Sequence, residues 1–167
     1  MRPRARTIGT AALAVALVIA QPASAGSGRD PNDVPGDRFD IAWVSVRATR
    51  EPNGVAIFRI ALRTYQGFRL RGCDCVFAWI LDGRGDGRGD LVIVTRGRSD
   101  GPRIVGIARR PGDGFAHEVV VHKDGWRRIR VVIPRDWLEP TRAVRFRATS
   151  RADGTTDRAP NAGRYVA

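Results

Sequence analysis

Lysine is almost absent from this 167-residue chain: Lys123 is the single lysine among 29 basic residues. Together with abundant Ala, Gly, Asp and Val, that bias looks like GC-rich codon usage as much as selection for guanidinium chemistry. The formal net charge of +12 is therefore a weaker pointer to a polyanionic partner than its size suggests. Histidine occurs only as His117 and His122. An odd separation puts the two on opposite faces of one strand, which excludes a shared metal ion without a bulge. Cysteine is limited to Cys73 and Cys75, too few for a closed zinc site with no histidine nearby. No Gly-x-Ser-x-Gly elbow and no coherent set of nucleophile, base and metal ligand stands anywhere, so no enzyme is expected. No nucleic-acid-binding motif accompanies the arginines.

Long apolar runs are missing too, with one exception at the start. Arg2, Arg4 and Arg6 precede Thr10 to Ala20 (TAALAVALVIA), and Pro22-Ala23-Ser24-Ala25 supplies an A-x-A pattern. The three parts predict a cleaved signal peptide over 1–25 with Gly26 at the mature N-terminus. About a dozen apolar residues are too few to span a bilayer, which needs roughly 20. The expected product is secreted, extracellular or cell-wall-associated, without a membrane anchor, and its net charge falls to +9 with the three arginines removed.

Helical periodicity is absent from residues 26–167 apart from Pro134 to Leu138, where proline suits the first position of a helical turn. Gly26 to Gly36 reads as a flexible leader, rich in glycine and proline, and 37–167 as a single β-sandwich domain. Short Val, Ile and aromatic runs between Gly/Asp/Pro/Asn punctuation predict about eight strands, at 38–49, 55–65, 76–82, 90–95, 103–108, 115–122, 127–133 and 143–149. Phe58, Ile60 and Leu62 alternate with Arg59 and Arg63, and Val144, Phe146 and Ala148 with Arg145 and Arg147, as half-buried strands require. Val76 to Leu81 carries no charge and reads as a central strand covered on both faces. The fold class is all-β: an antiparallel, jelly-roll-like sandwich. Cys73 and Cys75, oxidised in an exported chain, form either a local clip through a tight turn at Asp74 or an intermolecular bond.

Gly36-Asp37-Arg38-Phe39-Asp40-Ile41, the strand ending Ile80-Leu81-Asp82 before a Gly/Asp loop and Asp90-Leu91-Val92-Ile93, and Asp157-Arg158-Ala159-Pro160-Asn161 resemble landmarks of the DOMON and family 9 carbohydrate-binding-module sandwiches. They also resemble small exported proteins of high-GC bacteria. The resemblance covers Gly36 to about Gly163. It implies a surface-exposed sandwich that binds a sugar or a cofactor, in some relatives with structural calcium. Haem held by methionine and histidine, as in some DOMON proteins, is excluded because the only methionine, Met1, leaves with the signal peptide.

Three sets of residues remain as candidates. Asp82, Asp86 and Asp90, in a loop of alternating glycines, offer oxygen ligands to calcium; the alternative is a polar hairpin loop whose arginines neutralise its aspartates. Trp126, beside a hairpin turn, and Trp137, in the helical turn, are candidate sugar platforms unless they pack at a sandwich edge. Arg59 and Arg63 with Arg145 and Arg147 form a basic sheet surface if their strands are neighbours, and a solvated face otherwise. The expected function is a non-enzymatic binding module for a carbohydrate or cell-envelope polymer, with calcium as its cofactor if the loop binds one. The alternative is a structural or polyanion-associating envelope protein.

Overall fold

The structure, a computed structural model, describes residues 25–70, 73–97, 105–138 and 143–167. The expected signal peptide lies, apart from Ala25, outside them. Eleven strands follow in chain order: β1 (Ala25–Arg29), β2 (Ile41–Arg50), β3 (Ala56–Thr64), β4 (Cys75–Asp82), β5 (Leu91–Arg96), β6 (Val105–Arg109), β7 (Ala116–Asp124), β8 (Arg128–Pro134), β9 (Arg145–Ala152), β10 (Thr155–Ala159) and β11 (Tyr165–Val166). All pairings are antiparallel. The only helical piece among the described residues is a 3-10 turn at Arg135–Trp137.

The fold is all-β, but the jelly-roll-like sandwich of eight strands needs correcting. The strands form one sheet in the order β1-β2-β3-β8-β7-β6-β5-β4-β9-β10, with β11 also on β9. The sheet curls until its two ends nearly meet. β7 is the corner: Ala116 to Val120 pair with β6, whereas Val121 to Asp124 pair with β8. Eight of the strands match the hydrophobic alternation. β1, β10 and β11 escape it because AGSGR and TTDRA hold almost no apolar side chains and β11 is two residues long.

One core fills the curled sheet. Phe58, Ile60 and Leu62 of β3, Phe77, Trp79 and Leu81 of β4, Ile129, Val131 and Ile133 of β8, and Phe146 of β9 are all fully buried. Each such side chain contributes about 1.5–3 kcal/mol by leaving water. β4 is central in pairing, between β5 and β9. Its outer residues Val76, Ala78 and Ile80 are only half-buried, so that face is less covered than expected. Cys73 and Cys75 are joined to each other, with Cα atoms 5.2 Å apart, which realises the local clip.

Part of the stretch expected as a flexible leader, 26–36, is a strand: Gly26 to Arg29 belong to β1 on β2, and the ladder continues through the Asp30 amide to the Ala42 carbonyl at 3.2 Å. Gly26 and Gly28 act here by being small. A Cβ on Gly26 would strike the Val166 carbonyl, and one on Gly28 the Tyr165 ring. The missing side chains let β11 lie against β1 and bring the ends of the sheet together.

Candidate functional site

Alternation along β2, β3 and β8 sends one set of side chains into the core and the other onto an outer face. That outer set is Trp43, Ser45 and Arg47 from β2, Arg59, Ala61 and Arg63 from β3, and Arg128 and Arg130 from β8. Register places Arg47 directly opposite Arg59 and Arg63 directly opposite Arg128. A groove of about 740 Å³ runs over this face past β1. It continues through Trp43 and Arg128 to Arg29 and Arg63. Its one acidic lining residue, Asp124, bonds Arg130 Nε at 3.1 Å. The Arg128 guanidinium lies over the Trp43 ring, 5.7 Å from its centroid. Among the described residues, Arg47, Arg59 and Arg63 have no acidic partner.

The four arginines expected to share a surface therefore separate. Arg59 and Arg63 are on this face, whereas Arg145 and Arg147 belong to β9 in the other half of the sheet. Arg145 Nη1 donates to the Gly85 carbonyl at 3.2 Å, and Arg147 is half-buried. The missed partners are Arg47, Arg128 and Arg130. Their alternation was visible in the sequence, but β8 becomes a neighbour of β3 only through a connection of more than sixty residues.

The two tryptophans also differ. Trp126 is 69% exposed at the β7–β8 hairpin. Trp137 is half-buried against the core, edge-on to Phe115 at 5.3 Å and 5.1 Å from His117 between ring centroids. The 3-10 turn folds it back over β7, where its ring packs against Phe115 and His117.

The Asp82, Asp86 and Asp90 loop is held by its own groups. Buried Asp82 accepts from the Gly85 amide at 2.6 Å, the Gly87 amide at 3.0 Å and Arg164 Nη1 at 2.6 Å. Both glycines have positive φ, 74° and 86°, which turns their amides inward. Asp90 accepts from the Gly83 and Arg84 amides and from Arg84 Nε. Burial pushes Asp90 up, but these bonds outweigh it and hold the carboxyl below its usual range. Asp86 accepts from the Arg88 amide at 2.8 Å. Each of the three carboxylates thus has at least one donor within the protein.

A different set of aspartates converges where the ends of the sheet meet. Asp30 follows β1, Asp33 lies in the β1–β2 connection, Asp40 precedes β2, and Asp157 is in β10; one carboxylate oxygen from each lies within 4.8 Å of the others. Asp30, Asp40 and Asp157 are buried at 3%, 1% and 4% exposure. Asp157 accepts from the Ile41 and Arg158 backbone amides, each at 2.6 Å, and Asp33 from the side-chain Nδ2 of Asn161 at 2.7 Å. Among the described residues, both Asp40 oxygens and Asp30 Oδ2 have no hydrogen-bond partner. Burial, then Asp157 and the neighbouring aspartates, pushes Asp30 up to about 7. The same causes push Asp40 up to about 6, although the nearby Val34 amide offsets part of the rise without reaching hydrogen-bond geometry. Sequence reasoning missed this cluster because 116 residues separate Asp157 from its bonded partner Ile41. One signal was present: Asp40 stands between the core residues Phe39 and Ile41.

The chain was compared with family models, curated proteins and solved structures, and none of them matches it.

Proposed function

We propose that this chain is a non-enzymatic binding module that holds an anionic cell-envelope polymer on the outer face of β1, β2, β3 and β8. The observation that carries this reading is the doubled arginine pair, Arg47 opposite Arg59 and Arg63 opposite Arg128. Like charges facing each other across strands cost stability. A polyanion turns that cost into attraction and gains counterion entropy as it binds. The groove is open and crosses several strands, which suits a repeating chain of anionic groups, and Trp43 offers apolar surface for the uncharged parts of each repeat. An export segment over 1–25 would place this face against teichoic acid or acidic polysaccharide, so a secreted or cell-wall location belongs to the same reading. The likeness to DOMON and family 9 sandwiches is a proposal of the same kind. Trp126, with its exposed ring, favours a second reading in which a neutral carbohydrate stacks there.

The test is binding of the full chain to teichoic acid, to a carboxylated polysaccharide and to a neutral glucan over a range of salt. Affinity for the anionic polymers should fall linearly on a log–log plot. Each contact contributes about 0.7–0.9 to that slope, so Arg59→Ala with Arg63→Ala should flatten it by roughly 1.5. Arg145→Ala, on the other half of the sheet, should leave the slope unchanged. Salt-insensitive glucan binding that survives the double substitution and vanishes in Trp126→Ala would replace the polyanion reading with the carbohydrate one.

A further inference from the structure

We infer that Asp30, Asp33, Asp40 and Asp157 form a binding site for a divalent cation of calcium's class, which clamps the two ends of the curled sheet together. The inference is independent of the arginine face and uses none of its residues. Its first support is convergence: four carboxylates from two stretches of chain, the β1–β2 connection and β10, each bring one oxygen within 4.8 Å of the others. The second is that Asp40 is 1% exposed and, among the described residues, neither of its oxygens has a hydrogen-bond partner, nor has Asp30 Oδ2. Buried carboxylates are normally paired, hydrogen-bonded or bound to metal. In a chain of net charge +12, arginine is the readiest partner, yet among the described residues no basic side chain forms an ion pair with any of the four.

The donor set selects the ion. All four ligands are hard carboxylate oxygens, which suits calcium or magnesium and not zinc, whose sites favour nitrogen and sulfur. Calcium–oxygen distances are about 2.3–2.6 Å, so one ion can bridge oxygens separated by up to roughly 5 Å. Magnesium, at about 2.0–2.1 Å, bridges only some 4 Å and would need the cluster to contract. Among the described residues neither Asp40 oxygen, nor Asp30 Oδ2, is engaged by a hydrogen-bond donor that an ion would have to displace. The Asp157 oxygens each keep a lone pair beyond the amide they accept. Asp33 is exposed and gives the ion a way in.

The position explains what the ion would do. Asp30 and Asp40 flank the β1–β2 connection at one end of the sheet, and Asp157 sits in β10 at the other. At present the Ile41 amide to Asp157 bond spans that seam. A shared cation adds a strong link there and removes carboxylate repulsion.

Calcium alone, added to the full chain stripped with chelator, is the probe. Calorimetry should show one site, and calcium at 100 times its dissociation constant should raise the melting temperature by roughly 5–10 °C. Magnesium at equal concentration should give a much smaller rise. Asp40→Asn should remove the calcium response; because it also relieves repulsion, the chelated variant should melt no lower than the chelated parent. Asp33→Asn, at an exposed position, should fold normally and weaken calcium by about tenfold or more. Asp86→Asn should respond as the parent does. No heat and no melting shift would overturn the site, and so would parental calcium affinity in both Asp40→Asn and Asp33→Asn. Loss of the response in Asp86→Asn alone would move calcium to the β4–β5 loop and overturn it too.

Discussion

Arg59 shows how one residue can lower stability while making a site. It faces Arg47 across the β2–β3 ladder, where a carboxylate would add a favourable cross-strand pair. Arg59→Glu should therefore raise stability by about 0.2–1 kcal/mol relative to the parent at low salt, and the gain should shrink as salt screens the surface. The same substitution should weaken anionic-polymer binding strongly, since it removes one positive charge and adds a negative one. Denaturant melts and polymer titrations at two salt concentrations read both effects. A variant that is less stable at low salt would mean that Arg47 and Arg59 already splay apart without repulsion.

At the scale of elements, the terminal strands depend on small residues more than on hydrophobic ones. β1 buries no large side chain, and its place is set by backbone pairing with β2 and by Gly28 beneath the Tyr165 ring. Tyr165 is fixed by its hydroxyl, which donates to the Arg29 carbonyl at 2.9 Å, and by its ring against Phe146, 5.5 Å away. Gly28→Ala should cost about 1–3 kcal/mol by overpacking. Adding Tyr165→Ala should make the double variant less unstable than the two single losses summed, because the alanine methyl then has room. Strictly additive losses in urea unfolding would show that β1 and β11 do not share this contact.

For the whole molecule, the aspartate seam makes stability depend on pH in an unusual direction. Asp30 and Asp40 bind protons more tightly folded than unfolded, with folded values of about 7 and about 6 against 3.8. Below pH 3.8 these two groups are protonated in the folded and the unfolded state alike, and their contribution to stability is fully present. Between pH 3.8 and about 7 the unfolded chain releases its protons first, so these two groups remove stability as pH rises and level off above it. In chelator, melting temperature should therefore fall from pH 5 to pH 7.5, and Asp30→Asn with Asp40→Asn should flatten the decline. A parent melting temperature that rises over this window would mean that the seam carboxylates are already compensated.

How much of this was legible varied with the range of the interaction. Alternation in Val55 to Tyr65 and Ala143 to Thr149 located β3 and β9 and the inward Phe58, Ile60, Leu62 and Phe146, because a strand's two faces are set by neighbours two residues apart. The β7–β8 hairpin was similarly legible from Lys123-Asp124-Gly125-Trp126. Polar β1 and β10 were not, since their strand character comes from the ladder each one joins. The sequence determined an all-β chain, its buried faces and the outward direction of Arg59 and Arg63. Only the tertiary structure decided that β8 lies beside β3, so that Arg128 faces Arg63 while Arg145 and Arg147 are elsewhere. It also decided that Asp30, Asp33 and Asp40 meet Asp157. Strand order depends on contacts between residues more than sixty positions apart and sheet closure on contacts more than a hundred apart, and no local pattern of side chains records which strand will be the neighbour.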